Sequence, residues 1–431
     1  MYLDKYERLG LKNGQKLKAE HLKHIEDGII NTLTVFNATE YGVSTENNGL
    51  TNSKNLQVLI DGLSVIGGGT VYIPSGTYRF ASNEKTKSGE TCIMLRSNVN
   101  IKGDGFTTIL KPTGNKPNGL DMFHYMDVSY SGSAKYLENC IFEDFTINGE
   151  DACLTGQYSA MGKGFMISPM KNCHFRRLNI QNTDGTGLGV DCPVNCSAID
   201  VVTYNCGKAG TTDSTGASGI GVGFGYSLDE CMYISRCKCL SNKVFGIFFE
   251  HQKRFDENAY QSATNKGFIV DNCICFDNHY NFGGHVADSV LYRDCISKNA
   301  RTHGYIFINS TNCSCEGCYS EGEGNTSFVV LAQHDTWSGK SLQSYDISYL
   351  NCVSKDSLYG VKIVNQYSDA YAKANRTLIK GCYFNRCKTN VITTNGLFED
   401  LYLQGNFANV GSNNFGATVN KFVNIGNSWN E

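Results

Sequence analysis

"GGGTVYIPSGTYRF", Gly67 to Phe80, is the stretch that decides the fold of this 431-residue chain. It follows a stretch with helical apolar spacing, "LTNSKNLQVLIDGLSVI", Leu50 to Ile66. Glycine adopts positive φ at little steric cost, so Gly67-Gly68-Gly69 predicts a helix end and a sharp exit. "TVYIP" reads as a short strand closed by Pro74, because proline cannot donate to a continuing ladder. Ser75-Gly76 then turns the chain into "TYRF". The stretch reads as the entrance to a β-structure, covering the open end of its core.

Outward from there the chain repeats. "FEDFTIN", "FRRLNIQN", "ISRCKCLSN", "IVDNCICFDN", "LYRDCISKN", "CEGCYSEG", "SYLNCVSKD" and "LIKGCYFNRC" share one apolar place, held by Phe145, Leu178, Cys237, Cys273, Cys295, Cys318, Cys352 and Cys382. Cys273, Cys295 and Cys318 lie 22 and 23 positions apart. Glycine-led strands such as "GTGLGVD", "SGIGVGFG", "FGIFFEHQ", "FGGHVADS" and "HGYIFINS" follow each unit. A period of this length, with about three short strands per turn, is the signature of a parallel β-solenoid. The fold class expected is therefore all-β, a single-stranded parallel β-helix. Stacked strands make a repeated residue type a ladder. The 19 cysteines read as mainly an interior ladder rather than a disulfide or zinc framework, because their Cys-x-Cys spacing puts both thiols on one face of a strand.

The charge is near balance, 38 Lys+Arg against 41 Asp+Glu, which gives no electrostatic footprint for nucleic acid. No run of about 18 apolar residues predicts a membrane span, and the N-terminus carries no apolar signal core. Residues 1–40 stand apart. Leu22, Ile25, Ile29, Leu33 and Phe36 fall at spacings of three and four, one apolar stripe on a short helix. Such a stripe needs a partner, either the body of the protein or copies of itself. The domain reading is a helical attachment and oligomerisation segment over 1–40 and a β-helix over 41–431. Within it, 41–90 form cap and entry strands and 91–431 the coils.

Residues 40–112, including "GGGTVYIPSGTY" and "LRSNVNIKGDGFTTILKP", resemble the start of the pectate-lyase-like β-helix superfamily. That resemblance implies a right-handed helix and a glycan-directed surface. Ser44–Ser53 departs from the acidic loop usual there but still precedes a helix. "GQKLKAEHLKHIEDGI" resembles the starts of tail and baseplate proteins of phages and prophages of Gram-positive hosts. Together the two resemblances imply a tailspike: a homotrimer attached to the phage tail through residues 1–40. It would be made in the host cytoplasm without a signal peptide and act outside the cell on bacterial surface polysaccharide. Polysaccharide hydrolysis, elimination and binding without cleavage all remain open on this scaffold.

Aligning the glycine-led strands on Gly187, Gly219, Gly246, Gly283 and Gly304 puts Asp191, Gly223, Glu250, Ala287 and Ile308 at one place. Gly189, Gly221, Phe248, His285 and Ile306 fall at another on the same face. The small residues predict an open floor. Asp191 and Glu250 flank it two rungs apart, about 9–10 Å, close to the separation of an inverting acid–base pair. His285 or His251 would orient substrate or tune a pKa, and Asp288, just past its strand, would approach Glu250. Asp184, in "NTDG", resembles a polygalacturonase motif whose other parts are missing, so it reads first as a turn residue. Phe248, Tyr226 and Tyr280 are the expected sugar-stacking aromatics, with Arg254 beside the groove. No metal site and no cofactor are expected from the residues. Calcium with an Arg or Lys base, here Arg254 or Lys253, enters only through the resemblance to lyases.

Overall fold

The computed structural model describes residues 34–86, 89–127, 134–212, 216–252, 267–335, 340–366, 374–394, 397–415 and 418–429. Most of the expected N-terminal segment, together with Lys253 and Arg254, lies outside these residues.

The chain winds as a parallel β-solenoid. Each coil contributes one strand to a 13-stranded sheet and two short strands to a 25-stranded sheet. The coil after Tyr280–His285, for example, runs through Val290–Arg293 and Ile296–Lys298 before re-entering the first sheet at His303–Ile308. The two short strands are separated by a bend. Its residue adopts positive φ in coil after coil: Asn272, Asp294, Gly317, Asn351 and Gly381. Asn, Asp and Gly tolerate that region best, which is why they mark the repeat. Each bend residue immediately precedes a ladder cysteine, at 273, 295, 318, 352 and 382. All five thiols are buried. They hydrogen-bond to carbonyls of the preceding coil, as Cys295 Sγ does to Val270 O at 3.4 Å and Cys318 Sγ to Tyr292 O at 3.4 Å.

Aromatic rings form a second interior ladder. Phe282, Tyr305 and Phe328 occupy one register place. Their rings stack at centroid distances of 4.7 and 5.0 Å. In-register pairing thus converts one residue per coil into a continuous packed column.

The opening stretch behaves as read. Helix α1, Gly49–Val65, covers the first coil with Leu56, Leu59, Ile60 and Leu63. Gly67 and Gly68 leave it at φ 99° and 123°. A Cβ on Gly68 would stand 2.3 Å from Asn98 O, so no other residue fits. Phe36, expected on the N-terminal helical stripe, lies in a strand instead. Val35–Asn37, strand β1, pairs in parallel with Gly69–Tyr72, strand β2. Phe36 therefore belongs to the solenoid rather than to a helical stripe, as suits a β-branched and aromatic pair at 35–36.

Candidate functional site

The outer face of the 13-stranded sheet carries the site. Register pairs Asp191 with Gly223, Gly223 with Glu250, and Glu250 with His285. This corrects the sequence alignment by two residues in one coil. Asn281, not Gly283, stands level with Gly246, because Phe245 pairs with Tyr280. A shift of two keeps the face but moves the place. His285 thus lies directly beside Glu250, its Nδ1 3.9 Å from Glu250 Oε1, and Gly283 takes the place beside Phe248.

Three columns run along this face. The central one holds Met166, Gly189, Gly221, Phe248 and Gly283. The second holds Asp191, Gly223, Glu250 and His285. The third, two residues before the central strands begin to pair, holds Lys163, Thr186, Ser218 and Phe245. Lys163, Thr186 and Ser218, Gly189, Gly221 and Phe248, and Asp191, Gly223 and Glu250 from these columns line a depression open to solvent.

The floor is narrower than three glycines predict. A Cβ on Gly189 would meet Lys163 Cδ at 2.9 Å, and one on Gly223 would meet Asp191 Oδ1 at 2.1 Å and Gln252 Nε2 at 2.6 Å. Only Gly221 is bare, its nearest neighbour being Thr186 Cγ2 at 3.5 Å. Glycine at 223 is what lets the Asp191 carboxylate lie over the next rung, toward Glu250.

Burial is the main cause that pushes the Asp191 carboxyl up to about 6. The Lys163 ammonium opposes the shift and Glu250 adds to it. Lys163 is fixed from behind. Asp121 Oδ1 accepts the backbone N–H of Gly162 at 2.9 Å and of Lys163 at 2.7 Å, while Asp121 Oδ2 meets His124 Nδ1 at 2.9 Å. Lys163 was missed because the alignment searched only the positions after each glycine, and this column precedes them.

The remaining expected residues are placed as follows. His251 faces inward, against expectation. It is 3 % exposed, pairs in register with Phe224 and meets that ring at 5.3 Å. Strand alternation sends 247, 249 and 251 inward and 248 and 250 outward. Phe248 lines the depression but is 5 % exposed, its ring stacked on Phe245 at 4.1 Å. Little of its face is left for a sugar. Tyr280 continues that aromatic row, 4.9 Å from Phe245 and 5.6 Å from His303. Tyr226 is elsewhere, its N–H held by Glu230 and its ring 6.3 Å from Tyr136. Asp288 does not line the depression. Val286, at φ 53°, turns the chain away, and Asp288 Oδ1 accepts from Ser289 Oγ and Asn312 Nδ2. Asp184 is a buried turn carboxylate 3.5 Å from Lys208 Nζ, its pKa raised by burial. No cluster of metal-binding side chains occurs among the described residues.

Comparison with known proteins identifies the fold. The chain is similar over 92 % of its length to the A-module of the Azotobacter vinelandii mannuronan C-5 epimerase AlgE6, covering 99 % of that chain with TM-score 0.66 and 15 % identity. It is similar over 99 % of its length to the tailspike of E. coli bacteriophage HK620, solved in complex with pentasaccharide, covering 70 % of it with TM-score 0.54 and 14 % identity. A hyperthermoactive exopolygalacturonase from Thermotoga maritima matches over 89 % of this chain and 96 % of its own, with TM-score 0.52 and 13 % identity. The fold is the right-handed parallel β-helix of the pectate-lyase-like proteins.

No family model matches. Among curated proteins, mannuronan C5-epimerase AlgE1 of Azotobacter vinelandii is 26 % identical over 209 residues, 46 % of this chain and 14 % of that protein. Alginate lyase 7 of the same organism is 27 % identical over 139 residues, 32 % of this chain and 15 % of that protein. The matched part is thus about a seventh of these relatives' length.

Proposed function

We propose that this chain binds and cleaves a bacterial surface polysaccharide, hydrolysing a glycosidic bond at the depression over Gly221. Asp191 is the general acid and Glu250 the general base. One observation carries the reading: a carboxyl pushed up to about 6 leans over Gly223 toward a second carboxylate two rungs away. An acid must hold its proton near the working pH, and a base must reach a water on the far side of the bond. Rung spacing sets about 9–10 Å between the backbones, and the lean of Asp191 shortens the gap between the carboxyl groups toward the 6.5–9.5 Å of roughly inverting geometry. His285, 3.9 Å from Glu250, positions that carboxylate. The similarity to a polygalacturonase and to glycan-binding tailspikes supports the substrate class.

We also assign the protein to a phage tail, as a homotrimeric tailspike carried in the virion and attached through its N-terminal segment. The tailspike likeness supports that assignment. Its test is the solution mass of the full chain, with a monomer refuting the trimer.

A second reading, elimination, has its own support. Lys163 projects over Gly189 into the same depression, and the curated relatives include an alginate lyase and mannuronan epimerases. In that reading the Lys163 amine takes the proton next to a uronate carboxyl group. Incubation with host polysaccharide separates the cases. Hydrolysis releases reducing ends without ultraviolet-absorbing unsaturated sugar, and elimination releases both. Binding with neither product leaves a receptor-binding fibre and refutes both enzyme readings.

A further inference from the structure

Ser218 lines the depression and is only 1 % exposed. Its backbone is fully used. The N–H donates to Thr186 Oγ1 at 3.2 Å, and the carbonyl accepts from Gly187 N at 3.0 Å. Its hydroxyl is not used: among the described residues, no group hydrogen-bonds to Ser218 Oγ. A buried hydroxyl without a partner bears the whole cost of desolvation, a cost that alanine at the same place does not have. Native interiors pair nearly all such groups, so an orphan calls for a cause. Thr186, level with Ser218 on the preceding rung, is the contrast. It is equally buried, and its hydroxyl oxygen holds a backbone N–H.

The local backbone sets Ser218 on the groove side. The next residue, Gly219, faces the interior, where a Cβ would meet Thr203 Oγ1 at 2.3 Å and Asn242 Nδ2 at 2.7 Å. Ser218 thus stands outward just before the strand Ile220–Phe224, whose Gly221 is the bare part of the floor. A sugar ring seated over Gly221 has Asp191 and Glu250 along one side and Thr186, Ser218 and Phe245 along the other. The second side bears no charge at these three residues, which suits a neutral group rather than a carboxylate. A hydroxyl both donates and accepts, and so does Ser218 Oγ.

We propose that Ser218 is a specificity-determining residue of the groove. Its Oγ hydrogen-bonds a hydroxyl of the sugar over Gly221, on the edge turned away from Asp191 and Glu250. This rests on the glycan-binding reading of the depression and not on the choice between hydrolysis and elimination. A sugar that lacks the hydroxyl leaves Ser218 buried and unpaired, and a site built in this way rejects it.

The test joins thermal melting to calorimetric binding of oligosaccharides released from host polysaccharide by mild acid. The full chain is compared with Ser218→Ala and Thr186→Val. Ser218→Ala removes only an unpaired hydroxyl, so it is expected to melt at the native temperature or above and to bind about tenfold more weakly. Thr186→Val takes away the acceptor of Ser218 N and is expected to melt lower. Native affinity in Ser218→Ala overturns the proposal and leaves the glycan-binding reading standing. A lower melting temperature in Ser218→Ala overturns it too, because the hydroxyl then serves the fold. Absence of binding by the native chain overturns both readings.

Discussion

Gly223→Ala tests the groove at its tightest point. The added methyl would stand 2.1 Å from Asp191 Oδ1 and 2.6 Å from Gln252 Nε2, whereas real Cβ contacts do not fall below 3.0 Å. The backbone at 223 is not in the left-handed region, so the effect is steric and local. The Asp191 carboxylate must move by about 1 Å, and displacements of that size around a reacting group cost about 100-fold in rate. That is about 2.7 kcal/mol of transition-state stabilisation. The assay is release of reducing ends from host polysaccharide across a pH series, with melting followed in parallel. In the native protein kcat/KM is expected to fall as pH rises through about 6, because the acid loses its proton there. In G223A the rate drops by about 100-fold. Its alkaline limb moves to lower pH, since a displaced carboxyl is better solvated. Gly221→Ala is the control. Its methyl meets only Thr186 Cγ2 at 3.5 Å, so it raises KM by filling the floor and leaves the pH profile in place. A G223A variant that folds, with native rate and native profile, refutes the role given to Asp191.

Asp191→Asn and Glu250→Gln should each abolish product release while retaining oligosaccharide binding by calorimetry; activity in both places the chemistry elsewhere. Lys163→Met removes the cation that holds the Asp191 pKa down, so under hydrolysis the alkaline limb moves to higher pH. Under elimination the same change eliminates the unsaturated product. Glu323 concerns stability. It is 4 % exposed, and its carboxyl accepts from Ser297 Oγ, Ser320 Oγ and Ala300 N; burial raises it from the ordinary 4.5 to about 7. A folded-state pKa above the unfolded one means stability present below pH 4.5 and lost as pH rises to about 7. At about 1.36 kcal/mol per unit that loss is about 3 kcal/mol. The difference in denaturant stability between native protein and Glu323→Gln should follow that window, and a difference independent of pH contradicts the assignment.

The solenoid was legible because its causes are local and repeated. Positive-φ bends at Asn272, Asp294 and Gly317 recur with the coil, and the thiol behind each bend repeats with them. The faces of strands were legible too, from alternation alone. What escaped was register across a coil carrying an insertion. Just after Tyr280 the sequence offers two glycines, 283 and 284, and no local rule says that Asn281 is the partner of Gly246. His285 was consequently assigned to the wrong column. Lys163 escaped for a different reason: its column precedes the aligned glycines, and its backbone is held by Asp121 from the previous rung. His251 required only the alternation rule, applied one residue further.

The columns of the groove have a consequence for how such a site can change. Asp191, Gly223 and Glu250 come from three successive coils. Loss or duplication of one whole coil leaves every inward and outward side chain facing as before, yet alters the distance between the two carboxylates by one rung. The separation of the groups is therefore quantised in steps of about 4.8 Å. A lineage built on this scaffold passes between short and long spacings by jumps, without intermediate geometries to survive.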